Sequence, residues 1–248
     1  MRHVVTELGG LRCEVLDSTG EGRPELLVVL CHGYGAPGDD LVPLGEELLT
    51  VAPTLQGRVR FLFPQAPLDL AEQGMAGGRA WWHIDMQRLM LMQQNPADGI
   101  ARLQQESPPD APRSRRLLMA LVEEATRQAG VPLSRVVLGG FSQGAMLATD
   151  VALRLEEAPA ALGLFSGTLI FRPEWEKRAA HRRGLRVFQT HGEQDPILPF
   201  SNAVALRDLL VQSGLEVEFL PFRGGHTIAG PALRRFAALI EGCLPAAP

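Results

Sequence analysis

A serine set between glycines is the strongest chemical signal in this 248-residue sequence. Ser142 lies in the run Gly140-Phe141-Ser142-Gln143-Gly144, directly after an apolar segment of strand length and directly before one of helix length. A sharp strand-to-helix turn strains its central residue, so the flanking positions must carry almost no side chain. Such a turn lifts the serine hydroxyl above the sheet, where it can act as a nucleophile. The motif alone fits a plain connecting turn equally well.

Two further loops carry the partners that an activated serine needs. Asp195 follows a predicted strand at residues 185–189, and His226 follows another at 217–221, so both lie with Ser142 at the carboxyl end of the predicted sheet. A neutral His226 could take the serine proton and return it to a leaving group, while Asp195 holds one imidazole tautomer. The non-catalytic interpretations are a helix-capping carboxylate and a partly buried turn histidine. Three loops that agree in residue type and location favour acyl transfer.

Acyl transfer also requires N–H groups for the negative charge that develops on the substrate oxygen. The backbone N–H of Gln143, directly after the nucleophile, is the first candidate. Tyr34 supplies the second, because the glycine-rich run around it follows a predicted strand at 26–31 and its backbone can approach a ligand. In the same run, His32 is expected to brace the loop. Cys31 is a weak nucleophile candidate because it ends an apolar strand with no sharp turn around it.

The segment from about residue 68 to 112 interrupts the regular alternation of strands and helices, and so long an interruption is typical of a functional or mobile insert. Four of its residues are candidates for an apolar substrate pocket: Trp81, Trp82, His83 and Met86. An aromatic pair there fits ordinary core packing as well. The glycines, tryptophans and methionines of residues 68–92 predict a lid over Ser142. His191, at the start of the Asp195 loop, is expected to be structural.

The elements that must position these residues alternate along the chain, which predicts an α/β fold: a mainly parallel sheet with helices on both faces, in one domain spanning 1–248. Strands are predicted at 11–16, 26–31, 59–63, 135–138, 161–165, 185–189 and 217–221. Helices are predicted from about residue 40 and at 113–129, 143–155, 202–211 and 231–241.

Composition excludes several classes of protein. Hydrophobic residues make up 46%, which excludes disorder, and a formal net charge of -4 gives no basic face for nucleic acid or an anionic membrane. Cys13, Cys31 and Cys243 have neither metal-ligand nor disulfide-framework spacing, so we expect no metal and no cofactor. No apolar run is long enough for a membrane span, and the start lacks a leader pattern, so we expect a cytoplasmic protein. A monomer and a homodimer both remain open.

Five motifs together resemble the phospholipase/carboxylesterase family, which includes acyl-protein thioesterases and small bacterial carboxylesterases. They are His32-Gly33-Tyr34-Gly35 with Asp39-Asp40-Leu41, Phe63-Pro64-Gln65-Ala66-Pro67, Gly140-Phe141-Ser142-Gln143-Gly144-Ala145-Met146, His191-Gly192 with Asp195-Pro196 and Pro199, and Gly225-His226. They span nearly the whole chain in the expected order.

The resemblance implies an α/β-hydrolase fold without a cofactor and agrees with the assignments made from the residues. The leading expectation is a serine carboxylesterase for short to medium acyl chains, acting on a small-molecule ester. An acyl-protein thioesterase or lysophospholipase for longer chains is the alternative, and a non-catalytic binding module is a remote one. The chain departs from the family pattern at Tyr34, Trp82, His83 and Ala145, so the family's substrate preference should not be carried over.

Overall fold

An eight-stranded sheet organises the described part of the chain, which comprises residues 1–20, 22–85 and 96–245 of a computed structural model. Its strands are β1 (Arg2–Leu8), β2 (Leu11–Asp17), β3 (Leu26–Cys31), β4 (Val59–Pro64), β7 (Val136–Phe141), β8 (Ala161–Phe165), β9 (Arg186–Gly192) and β10 (Glu216–Phe222). Their order is β1-β2-β4-β3-β7-β8-β9-β10. The pairs β1–β2 and β2–β4 are antiparallel, and all other pairs are parallel. A separate antiparallel hairpin joins β5 (Leu68–Asp69) to β6 (Arg79–Ala80).

Seven α-helices are present in the described residues: α1 (Val42–Val51), α2 (Pro96–Gln105), α3 (Ala111–Ala129), α4 (Gln143–Ala152), α5 (Arg172–Ala179), α6 (Phe200–Gln212) and α7 (Gly230–Glu241). Buried side chains of α1 and α7 pack on one face of the sheet, and those of α3, α4 and α6 pack on the other. None of these helices combines the length and the apolar character that a membrane span would need.

The central strands are buried on both faces, which explains their continuous apolar sequences. In β3, all six residues are buried, and successive side chains alternate between two separate hydrophobic clusters. One cluster receives Leu27, Val29 and Cys31, and the other receives Leu26, Val28 and Leu30. A strand that contributes to both clusters has no solvated face and therefore no polar alternation.

The strand order places a switch point between β3 and β7. The chain leaves β3, passes through α1 and returns in β4 on one side, whereas β7 pairs with β3 on the other side. Ligands of open α/β sheets bind outside the carboxyl ends of the strands at such a point. The loop after Cys31 and the turn at Ser142 begin at these two strand ends.

The predicted parallel sheet with helices on both faces is confirmed, with differences at its edges. β1 was not predicted because most of its side chains are exposed and give no apolar pattern. A detectable signal was the pair Gly9-Gly10, whose φ angles of 58° and 78° suit a two-residue hairpin turn. α5 was missed because only Trp175 and Ala179 of this helix are buried. β9 extends to Gly192, so it includes residues that were assigned to a loop.

A buried carboxylate joins three helices behind the sheet. Asp150 of α4 is 1% exposed and accepts hydrogen bonds from Arg115 of α3, from Arg154 and from the Trp175 indole of α5. Arg154 also pairs with Glu174. A buried charge is tolerated because it is paired and hydrogen-bonded, so this group fixes α3 and α5 against α4.

Replacing Asp150 should therefore be costly. In Asp150→Ala, the Arg115 guanidinium and the Trp175 N–H lose their acceptor, and we expect the free energy of unfolding to fall by about 3–5 kcal/mol. The control is Glu176→Ala, which breaks an exposed pair with Arg172 and should cost at most about 1 kcal/mol. Urea denaturation of the wild type and the two variants gives both changes in the free energy of unfolding. Equal losses in Asp150→Ala and Glu176→Ala would contradict a central role for Asp150.

Candidate active site

A strained turn holds Ser142 between the end of β7 and the start of α4. Its backbone has φ 53° and ψ −118°, outside the regions that side-chain-bearing residues favour. The Ser142 N–H donates to the carbonyl of Phe165 at 2.8 Å, which ties the turn to the neighbouring strand. The residue is 9% exposed and lines a cavity at the switch point.

The glycines around Ser142 are required because α4 begins directly against the end of β3. A Cβ atom on Gly144 would lie 2.0 Å from the carbonyl oxygen of Cys31, and one on Gly140 would lie 2.4 Å from the same atom. Both distances are far below van der Waals contact. The close approach of the backbones therefore explains the glycine spacing that the sequence shows.

Asp195 and His226 are in contact, although they come from different loops. The Nδ1 atom of His226 lies 2.6 Å from Oδ2 of Asp195, and since a carboxylate only accepts, Nδ1 carries the hydrogen. The other oxygen, Oδ1, accepts the backbone N–H groups of Ile197 and Leu198 at 2.8 and 2.9 Å. In the neutral ring, Nε2 of His226 is left as a proton acceptor.

The pKa of Asp195 lies well below its usual range. Burial alone would raise this pKa, but hydrogen bonds from His191, from His226 and from the Leu198 N–H outweigh it. The carboxylate therefore stays ionised at neutral pH, which suits an acceptor that orients an imidazole.

Two contacts fix the loop that carries His226. The ring of His226 lies against that of Phe141, with centroids 4.7 Å apart. Ser166, directly after β8, donates its hydroxyl to the Thr227 carbonyl at 3.2 Å and has a φ of 52°. His226 thus lines the same cavity as Ser142, at a position set by the ends of β7 and β8.

The two N–H groups expected to bind an oxyanion belong to cavity-lining residues. Tyr34 and Gln143 both line the cavity, and neither backbone N–H donates to another described residue. The loop around Tyr34 is held by the strand β6, since Gly35 N–H donates to the Arg79 carbonyl at 2.9 Å and Arg79 N–H donates to Ala36 at 3.1 Å. Within the described part of the chain, the N–H groups of Tyr34 and Gln143 thus have no backbone acceptor that a ligand would have to displace.

His32 braces this loop as a neutral imidazole. Burial lowers the pKa of His32 to about 4, and the ring is 1% exposed. Its Nδ1–H donates to the Gly33 carbonyl at 2.8 Å, and Nε2 accepts the Ala66 N–H at 3.0 Å. One tautomer satisfies both bonds, so the ring links the loop after β3 to the loop after β4.

The side chain of Gln143 ties the Trp81–Trp82 segment to the turn. Its Oε1 accepts the Trp81 N–H and its Nε2 donates to the Trp82 carbonyl, each at 2.8 Å. The Trp81 indole N–H donates to the carbonyl of His32 at 2.9 Å, and Ser114 donates to the Trp81 carbonyl. The segment is thereby fixed to both the turn at Ser142 and the loop of Tyr34.

Of the four predicted pocket residues, the structure places two on the cavity. Trp82 and His83 line it, together with the apolar side chains of Leu103, Pro108, Met146, Ile170 and Leu198. Trp81 does not, contrary to expectation: it is fully buried behind the wall, where its indole bonds His32. Met86 lies outside the described residues, as does part of the predicted lid at 68–92, so the lid stays a prediction.

His191, which the sequence suggested to be structural, lies beside the carboxylate of Asp195. Its Nε2 is 3.2 Å from Oδ2 of Asp195. The two residues are four positions apart, and this spacing was the only signal for the contact. In the described part of the chain, no group of three or more His, Cys, Asp or Glu side chains is arranged to hold a metal ion.

Comparison with known sequences places this arrangement in context. Residues 18–244 match the sequence model of a family described as Phospholipase/Carboxylesterase. Acyl-protein thioesterase 1 of Eremothecium gossypii is 29% identical over 222 residues, which cover 88% of this chain and 88% of the relative. Acyl-protein thioesterase 1 of Mycosarcoma maydis is 24% identical over 245 residues, which cover 95% and 98% respectively.

Solved structures show the same fold. Esterase PE8 superposes with a TM-score of 0.78 and 28% identity, covering 94% of this chain and 99% of that protein. A carboxylesterase from Mesorhizobium loti superposes with a TM-score of 0.73 and 20% identity, covering 98% and 100%. At 20% identity, the likeness to the Mesorhizobium loti protein concerns the fold alone.

The close approach at Cys31 predicts that Gly144 cannot be replaced. In Gly144→Ala, the new Cβ would overlap the Cys31 carbonyl, so α4 must shift away from β3. We expect unfolding to become easier by about 3 kcal/mol and any activity that depends on Ser142 to fall about 100-fold.

The matched control is Gly230→Ala, at a glycine of α7 whose Cβ would meet nothing within 4 Å. Its melting temperature and activity should match those of the wild type. A Gly144→Ala protein with wild-type stability would contradict the steric argument.

Proposed function

The chain belongs to the phospholipase/carboxylesterase family of α/β hydrolases, and from this we propose that it is a serine carboxylesterase acting through Ser142, His226 and Asp195. Its family and relatives are esterases and thioesterases, so its reaction class is hydrolysis of carboxylic esters. The substrates that we propose are small esters with short to medium acyl chains.

The hydrogen bond between His226 and Asp195 is the observation that carries the proposal. It directs Nδ1–H to the carboxylate and leaves Nε2 unprotonated on the wall of the cavity that Ser142 also lines. His226 would take the hydroxyl proton as Ser142 attacks the acyl carbon, and would then give that proton to the departing alcohol. Water would then attack the acyl-serine, with His226 again taking and returning a proton, and the carboxylic acid would leave. Asp195 stabilises the imidazolium in both steps.

The oxyanion of each tetrahedral intermediate would be bound by two backbone N–H groups, those of Tyr34 and Gln143. The start of α4 supports this role, because a helix N-terminus presents unpaired N–H groups and favours negative charge. The bonds from β6 to Gly35 and Ala36 hold the loop of Tyr34 in place before substrate arrives. Such preorganisation is what makes an oxyanion site effective.

The size and lining of the cavity support short to medium acyl chains. Its volume is about 220 Å³, below the range of about 300–1,000 Å³ typical of sites for drug-sized ligands. Trp82, Met146 and Ile170 give it an apolar wall. A small apolar cavity beside Ser142 accommodates a limited number of methylene groups.

A second candidate function is hydrolysis of longer acyl thioesters. It is favoured by the two relatives named acyl-protein thioesterase 1, which cover most of the chain. That reaction uses the same nucleophile and differs in the leaving group and in the length of apolar surface that the acyl chain requires.

Removing the proposed nucleophile should abolish both labelling and turnover. A fluorophosphonate probe is expected to label the peptide that contains Ser142, and Ser142→Ala should reduce kcat on p-nitrophenyl acetate by up to about a million-fold. Ser201→Ala, at an exposed serine on α6, is the control and should keep full labelling and rate. Label on another residue, or undiminished turnover in Ser142→Ala, would overturn the assignment.

Acyl length separates the two candidate functions. We expect kcat/KM on p-nitrophenyl esters to peak between acetate and octanoate and to decline towards palmitate, because the cavity restricts the chain. Matched thioesters of the same acids should show the same optimum. A steady rise of kcat/KM towards palmitoyl thioesters would instead establish the thioesterase candidate.

A further inference from the structure

His191 contacts the proposed acid–base pair without lining the cavity. It is the next-to-last residue of β9, and its fully buried ring is not among the cavity-lining residues. Its Nε2 lies 2.9 Å from the Leu198 carbonyl and 3.2 Å from Oδ2 of Asp195. Both neighbours are acceptors, so Nε2 carries a hydrogen, which bonds the Leu198 carbonyl and has Oδ2 of Asp195 as a second, longer contact.

The second nitrogen of His191 determines its protonation state. Nδ1 is buried and has no hydrogen-bond partner among the described residues. A hydrogen on this atom would be a buried donor without an acceptor, which is more costly than an unfilled acceptor site on a neutral ring. The ring is therefore neutral, with its hydrogen on Nε2.

We propose that His191 is a positioning residue for the Asp195–His226 pair. It acts in two ways: its N–H lies against Oδ2 of Asp195, which also accepts from His226, and it bonds the carbonyl of Leu198, the residue whose own N–H bonds Oδ1. The inference rests on the proposed function, since it assigns His191 a part in the same reaction. Because the ring does not line the cavity, His191 does not touch substrate.

The sharing of Oδ2 has a chemical consequence. Four N–H groups converge on the Asp195 carboxylate: Ile197 and Leu198 at Oδ1, and His226 and His191 at Oδ2. The donor from His191 withdraws negative charge from the oxygen that holds His226. His226 consequently keeps its proton less tightly than it would beside an unshared carboxylate, and can return it to the leaving group. The hydrogen bond from His191 also contributes to the lowered pKa of Asp195.

Two variants separate positioning from packing. His191→Phe keeps a ring of similar size but removes the N–H, whereas His191→Gln can place an amide N–H near the position of Nε2. We expect kcat on a short p-nitrophenyl ester to fall about 10- to 100-fold in His191→Phe, with little change in KM. His191→Gln should recover most of that loss.

The pH profile is the readout that packing alone would not move. Without the donor from His191, Oδ2 attracts the proton on His226 more strongly, so the acid limb of kcat/KM should move to higher pH in His191→Phe. The expected shift is about 0.4–1 pH unit, the equivalent of one hydrogen bond. In His191→Gln the acid limb should return towards its wild-type position.

Other titratable groups face the same region and must be held constant. Five of them line the cavity with His226, namely Tyr34, Asp40, His83, Asp85 and Glu106, and Glu193 belongs to the Asp195 loop. None is changed in the variants, so the difference between profiles reports on the pair. The matched control is Thr190→Val, at a buried neighbour whose hydroxyl has no partner among the described residues. Its rate and profile should match the wild type.

A measurement independent of turnover completes the test. Titration of the His226 ring protons by NMR should show the same upward shift in His191→Phe and its recovery in His191→Gln. An unmoved titration, or a loss of rate that His191→Gln fails to restore, would overturn the inference. A wild type that neither turns over esters nor labels at Ser142 would refute the proposed function separately, while the NMR titration would still judge the pairing of His191 with Asp195.

Discussion

The contact between the start of α4 and the carbonyl of Cys31 is the constraint on which the site depends. Only a glycine at position 144 lets the helix begin against the end of β3, and only this approach directs the chain through the strained conformation of Ser142. Such strain costs about 1–3 kcal/mol and persists because its surroundings fix it. Here the fixing elements are β7, flanked by β3 and β8, and α4, all of whose residues are buried.

The other parts of the site are arranged around that fixed point. β3 ends beside it and leads into the loop of Tyr34, while β9 and β10 end farther along the same edge and lead to Asp195 and His226. The segment 79–82 closes the arrangement, because it bonds the loop of Tyr34 through Arg79 and the turn through Gln143. Each of the residues proposed to take part in the reaction therefore lies in a turn or loop, and each of these segments is tied to a strand or helix.

Much of this could be predicted from the sequence, for physical reasons that differ between residues. The central strands are buried on both faces and show it as apolar runs, and the turn at Ser142 shows its geometry as glycine spacing. β1 lacks such a pattern because most of its side chains are exposed to solvent. That Trp82 and not Trp81 faces the cavity depends on hydrogen bonds from residues more than thirty positions away, which leave no local pattern. The contact between His191 and Asp195 likewise depends on how far β9 extends before the chain turns.

The Gln143 side chain forms two hydrogen bonds to the backbone of Trp81 and Trp82. For protein engineering, these bonds distinguish two parts of the cavity wall. The Trp82 side shares its hydrogen bonds with the residue whose N–H would bind the oxyanion, so changing it alters rate and selectivity together. The wall also includes Leu103 of α2, Pro108 and Ile170, whose apolar side chains have no donor or acceptor with which to bond the turn at Ser142. Directed evolution of substrate range therefore has a separable surface to work on, one where diversity can be introduced without disturbing the chemistry.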